Sequence, residues 1–159
     1  MKTFLFVIGF LFLAFATTAS GQTLGPPIAE FQVKSPGKIV KGSVMFRNDA
    51  KVPMYFSIDL NSVVFENRQV RYLPLASDAT VKLSQTGGKL QPLEVHRVDY
   101  QISCQRPNCQ IALAIGFFPG HVALGQIAVK TVLPHLVYIG ETKRPRYDAL
   151  NAAGLWQQK

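Results

Sequence analysis

The chain has 159 residues, 48% of them hydrophobic and 16% charged, with a formal net charge of +8. That composition is too apolar for a disordered chain, and the length suits one domain able to bury roughly two thirds of its unfolded surface. The basic balance points to acidic surfaces and acidic partners.

The chain opens Met1-Lys2-Thr3 and continues without a charge from Phe4 to Ala16, followed by the small polar run Thr17 to Gly21. A basic start, an apolar centre and small residues behind it predict a secretory signal peptide over residues 1–21, cleaved after Ala19 or Gly21. The apolar run is shorter than the roughly 20 residues of a spanning helix, so no stable membrane anchor is expected after cleavage. The expected location is the periplasm, with secretion or the cell surface as the alternative, and export argues against a nucleic-acid partner. It also decides the reading of Cys104 and Cys109, which bracket the turn-forming Gln105-Arg106-Pro107-Asn108. In an oxidising compartment they are expected to form a disulfide pinning a tight connection between two strands. No second Cys or His pair completes a metal site.

Past a short lead-in, Thr23 to Pro27, a first strand is predicted over Ile28 to Val33, then a turn at Ser35-Pro36-Gly37. Val40, Gly42, Val44 and Phe46 alternate with Lys41, Ser43, Met45 and Arg47, the pattern of a half-buried strand. Asn48-Asp49-Ala50-Lys51 reads as a polar turn, and Pro53 opens a strand whose Met54, Phe56, Ile58 and Leu60 share a face. From Asn61 to Ser77 the pattern loosens into a hairpin or a strand that switches sheets. Val81 and Leu83 mark a brief strand ended by Gly87-Gly88, and Leu90-Gln91-Pro92 forms a corner. Two long alternating runs follow, Val98, Tyr100, Ile102, Cys104 and Ile111, Leu113, Ile115, Phe117, the second stopped by Pro119-Gly120. About seven short strands with no convincing helix predict an all-β, immunoglobulin-like antiparallel β-sandwich over residues 22–141, although the usual Cys…Trp…Cys spacing is absent. Residues 142–159, with Lys143, Arg144, Arg146 and Trp156, read as a tail or the truncated start of a second domain.

The stretch from Gly125 to Ile139 is read as the last strand. Ile127, Val129, Thr131 and Leu133 fall on one side of an extended backbone, and Gln126, Ala128, Lys130 and Val132 on the other. Pro134 interrupts it, which places the strand at or near a sheet edge. Such an edge can add a strand to another protein or pair with its own copy, giving an edge-to-edge homodimer; alternatively it closes its own sandwich core. His96, His121 and His135 are well separated, no Gly-x-Ser-x-Gly elbow is present, and no cysteine is left free to attack. No enzymatic activity and no cofactor are expected.

Three stretches resemble one family. Val44-Met45-Phe46-Arg47-Asn48-Asp49-Ala50-Lys51-Val52-Pro53 is similar to the second and third strands of periplasmic pilus-assembly chaperones. Leu90-Gln91-Pro92 followed by Val95, Arg97 and Val98 looks like their corner, and Gln126 to Thr131, ending near Tyr138, like the last strand of their first domain. The resemblance covers residues 28 to 141 and corresponds to the amino-terminal immunoglobulin-like domain alone. It implies that Ile127 and Val129, continued by Thr131 and Leu133, fill the groove of an exported pilin-like subunit that lacks a strand, with an outer-membrane usher as a further partner. The family also grips the subunit's terminal carboxylate with two basic residues; here those places read Pro134 or His135 late in the last strand, and Gln32 or Lys34 in the first. Two other readings remain open, a structural domain of an exported surface assembly and an inactive fragment of a two-domain chaperone.

Overall fold

The computed structural model describes residues 22–66, 69–120 and 129–141. Among them, ten strands form two facing sheets. The first sheet contains β1 (Gln22–Gly25), β3 (Val40–Asn48), β8 (Val95–Cys104) and β6 (Ala79–Leu83), in the order β1-β3-β8-β6. The second runs β2 (Ile28–Gln32), β10 (Thr131–Gly140), β9 (Asn108–Pro119), β4 (Met54–Glu66) and β5 (Gln69–Pro74), with β7 (Gly87–Leu90) paired to the start of β4 beside β5. The expected all-β sandwich is therefore present, with more strands than predicted and one pair that is not antiparallel: β2 runs parallel to β10.

The alternating runs do what their period dictates. Val44 and Phe46 on β3, Val98, Tyr100 and Ile102 on β8, Ile111, Leu113, Ile115 and Phe117 on β9, and Val137 and Ile139 on β10 all turn inward and are buried together. Phe46 meets Phe56 and Phe117 from the opposite sheet edge-on, at ring-centre distances of 4.9 and 5.6 Å, so the two layers interlock through aromatic contacts. The Cys104–Cys109 disulfide forms, joining the end of β8 to the start of β9.

Three local expectations are corrected, and one that was left open is decided. Thr23 to Pro27 is not merely a lead-in: Gln22–Gly25 pairs with the end of β3, and the chain then crosses at Pro26-Pro27 to enter the other sheet as β2. Of the two readings of the stretch after Asn61, the hairpin holds: β4 turns into β5 within one sheet. Gly87-Gly88 does not end a strand but begins β7, where the absent side chain of Gly88 leaves room for the Phe56 ring. Pro134 does not interrupt β10, for a reason given below. Residues 1–21 and 142–159, read as a signal peptide and as a tail, lie outside the described residues, as does Ile127.

Asn48, read as part of a polar turn, is completely buried. Its side-chain Nδ2 donates to the carbonyls of Val52 (2.9 Å) and Gln91 (3.0 Å), and its Oδ1 accepts the Ala50 N–H at 3.0 Å. Its backbone N–H donates to Glu94 and its carbonyl accepts from Leu93. One amide thus closes the β3–β4 turn upon itself and fastens it to the corner before β8.

Candidate functional site

β10 is the element whose two edges differ. Along one side it pairs antiparallel with β9 for its whole length, from Thr131 opposite Phe117 to Gly140 opposite Asn108. Along the other, β2 covers only Leu136 to Gly140. Opposite Thr131 to His135 no strand among the described residues is paired on that side.

Backbone direction decides what this open half presents. A residue's N–H and C=O point to the same side of a strand, and the side alternates along the chain. Leu136 N–H donates to the Pro27 carbonyl at 2.8 Å, and the Gly140 carbonyl accepts the Val33 N–H at 3.0 Å, so the even-numbered residues face β2. Val132 and Pro134 are of the same parity and face the open edge. The N–H that proline lacks would have pointed into that edge and not at β9, so β10 passes through Pro134 with its β9 ladder intact. The open edge accordingly offers both the N–H and the carbonyl of Val132, then only a carbonyl at Pro134. Pro134 limits how far an added strand can pair before it meets the lane occupied by β2.

Side-chain alternation runs across this. Odd-numbered residues from Leu133 to Ile139 face the other sheet; Val137 and Ile139 belong to the core, and Leu133 packs against it half-buried. Thr131, on the same face but nearer the open end, is exposed. Val129, just before the strand, is 70% exposed, and Val132, on the outer face, is 49% exposed. Of the four residues read as the donor face, Val129 and Thr131 are accessible, Leu133 is partly engaged by the protein's own core, and Ile127 is outside the described residues.

Lys130 holds the entry to β10 in place. Its aliphatic stem lies over Gly116 of β9, where any side chain would collide with it, and its Nζ reaches Asp59 Oδ2 on β4 at 3.5 Å. Both charges are well exposed, so this contact orients the strand more than it stabilises the fold.

Of the positions aligned with a carboxylate grip, Gln32 and Lys34 are exposed, Pro134 carries no charge, and His135 is taken up within the fold. His135 is completely buried: its Nδ1–H donates to the Pro26 carbonyl at 2.6 Å, and its Nε2 accepts the Tyr100 hydroxyl at 3.2 Å. Both ring nitrogens are used by a neutral imidazole, and burial pushes its pKa below the usual histidine value. Gln32 pairs with Gly140 at the far end of the strand. Sequence reasoning did not find the His135–Tyr100 bond between the sheets. The available signal was a polar residue in register with the inward-facing apolar positions of β10.

No family model and no curated protein matches this sequence. Solved structures do share its architecture. A chain of the pre-assembly complex of the chaperone CsuC with the tip subunit CsuE, from Acinetobacter baumannii Csu pili, superposes with a TM-score of 0.51 and 9% identity over 85% of this chain and 66% of that one. A chain of the complex between the Salmonella enterica SafA pilin and the SafB chaperone gives 0.55 and 9% over 80% of this chain and 58% of that one. The PapD-like domain 7 of human CEP192 gives 0.51 and 14% over 79% and 88%. The chain has the fold of the amino-terminal, PapD-like domain of pilus chaperones, and it spans 66% or less of the pilus-complex chains it matches.

Proposed function

We propose that this domain is a periplasmic, chaperone-like binding module that holds an exported pilin-like subunit by pairing the open half of β10 with it. The observation carrying this reading is the divided edge of β10: on the side away from β9, β2 covers Leu136 to Gly140, while Thr131 to His135 have no paired strand among the described residues and lie beside the exposed Val129. An extended segment placed there takes main-chain hydrogen bonds from Val132 and the Pro134 carbonyl, and alternate side chains give specificity. Ile127, Val129 and Thr131 are assigned as the residues entering the subunit's groove. Leu133 is assigned to the boundary where the strand returns to its own core. The resemblance in fold to chains of the CsuC–CsuE and SafA–SafB complexes supports a subunit as the partner; an usher contact is a further part of the same proposal.

The packing of Leu133 against the core supports a second reading, a structural domain of an exported assembly whose last strand serves its own sandwich. Co-export of the protein with a pilin-like subunit that lacks its last strand separates the two. A one-to-one complex on gel filtration, lost in the Ile127→Asp, Val129→Asp variant with unchanged thermal unfolding, supports strand pairing. Loss of folding in that variant, or a folded protein that never retains a subunit, supports the structural reading.

A further inference from the structure

His135 stands where the outer edge of β10 changes from open to paired. It and the next residue hold the crossover between the sheets: His135 Nδ1–H donates to the Pro26 carbonyl at 2.6 Å, and Leu136 N–H to the Pro27 carbonyl at 2.8 Å. These two contacts fix the point at which the chain leaves β1 and enters β2. The other side of the ring meets Tyr100 from β8, whose hydroxyl burial pushes up to about 12, leaving it neutral across the accessible range. Phe31 of β2 packs edge-on against Tyr100, Gly42 of β3 lies beneath its hydroxyl, and the register partner of His135 on β9 is Leu113. No charged side chain among the described residues is bonded to the ring.

A proton added to Nε2 turns an acceptor into a donor. The Tyr100 hydroxyl can then only accept, which leaves its own hydrogen without that partner; the Nδ1–H bond to the Pro26 carbonyl favours the charged ring, but burial opposes it more strongly, and that cost is relieved if a neighbouring element opens to water. The elements around His135 do not resist equally. β8 and β9 are paired on both sides, whereas β2 is a five-residue edge strand that, among the described residues, pairs with β10 alone. Short edge elements with little buried surface open before the core does.

We infer that protonation of His135 releases the Pro26–Gln32 strip from β10, extending the open edge from Thr131–His135 to the whole strand. The use of that longer edge for a partner rests on the strand-pairing reading above; the release itself does not.

Amide exchange of the protein alone, followed by NMR as protection factors at pH 7.5 and 4.5, tests the release without any partner. Leu136 N–H is bonded to the crossover, while its neighbour Val137, of the other parity, faces β9, so adjacent amides serve as probe and control. Protection at Leu136 and Val33 is expected to fall at least tenfold on acidification, with Val137 and Leu113 changing less than threefold. The selective loss should vanish in His135→Gln. If that variant does not fold, Tyr100→Phe gives the second test: removing the hydroxyl that favours neutral imidazole should move the transition to higher pH. Equal loss at Leu136 and Val137, no loss at Leu136 by pH 4.5, a selective loss persisting in His135→Gln, or no upward shift in Tyr100→Phe would each overturn the inference.

Discussion

The side-chain amide of the buried Asn48 donates to the carbonyl of Gln91 across a sequence separation of 43 residues, at 3.0 Å. Two of the three stretches on which the family resemblance rests, Val44 to Pro53 and Leu90 to Val98, are therefore in direct contact, and Asn48 is the residue that fastens them. Leu93 follows from this: its N–H donates to the Asn48 carbonyl, and it adopts a left-handed φ of 61°, uncommon for a branched side chain.

Removing that amide leaves the Val52 carbonyl and the Ala50 N–H without their partner in a buried or part-buried setting, and the Gln91 carbonyl with only the Glu94 N–H. Each unsatisfied group costs about 1–3 kcal/mol, and some regain water, so Asn48→Ala is expected to destabilise the domain by about 3 kcal/mol. Asn48→Asp, nearly identical in shape, keeps the acceptor but sets a carboxylate against two carbonyls and should do no better at neutral pH. Urea unfolding of both variants checks this. A loss under 1 kcal/mol in both would show that the turn and the corner hold together without the amide.

Gly42 is paired with Tyr100 in the β3–β8 ladder, and a Cβ there would lie 2.5 Å from the Tyr100 hydroxyl. Tyr100 is fully buried and cannot swing away, so Gly42→Ala should displace the ring and strain its bond to His135. Overpacking of this kind costs about 1–3 kcal/mol. The ring carbons Cζ and Cε2 lie almost as close as the hydroxyl, at 2.6 and 2.7 Å, so relief requires removing the ring: the double variant Gly42→Ala, Tyr100→Leu should be more stable than the sum of the two single effects allows. Additive effects in that cycle would show that the glycine is needed for something other than space.

Neutral His135 also ties stability to pH. Its folded-state pKa lies below the ordinary 6.5 because burial penalises the charged form. The unfolded chain therefore binds a proton first as pH falls, and the stability this residue contributes, complete above about pH 6.5, is lost from there down to the lowered folded value. The slope should approach about 1.4 kcal/mol per pH unit in that window and flatten in His135→Gln. Asp49, whose carboxyl is held below its usual 3.8 chiefly by the Thr23 hydroxyl and further by Arg47, contributes in the same direction but only at more acidic pH. Urea titrations at half-unit pH steps separate the two.

Much of the sandwich was readable from alternation alone, because β3 and β8 each have one buried face and one register that satisfies it, while β9 is buried or half-buried on both faces and reads as a strand from its apolar run. What was not readable depends on partners distant in sequence. Gln22–Gly25 is a strand only because the end of β3 lies beside it, and nothing in Ile28–Gln32 announces a parallel neighbour more than a hundred residues later. Pro134 was read as a break because proline lacks an N–H; only the pairing shows that the missing group faces the side of β10 away from β9, where no strand among the described residues is paired. The candidate site was half legible in the same sense. The period of two put Val129, Thr131 and Leu133 on one face, but the depth at which that face passes from solvent to core, between Thr131 and Leu133, belongs to the opposite sheet.

That transition sets the sharpest prediction for the edge itself. If partner binding uses the open half of β10, substitutions should divide at Thr131. Val129→Asp places a charge on a residue that is 70% exposed, so folding stability should change by less than about 0.5 kcal/mol, the usual range for a surface site. Subunit binding should nonetheless fall at least a hundredfold, since a carboxylate would have to enter an apolar groove. Leu133→Asp buries a charge against the core and should destabilise the domain by 3 kcal/mol or more (about the cost of an unpaired buried charge), whether or not a subunit is present. A third substitution reads the edge through its backbone. Val132→Pro removes the N–H that faces the open side while leaving the β9 ladder untouched, so it should weaken binding tenfold or more with little change in stability. Calorimetric titration with a strand-deficient subunit, beside urea unfolding of each variant, gives both numbers. Binding that survives Val132→Pro and Val129→Asp would mean that the subunit is held on another face of the sandwich.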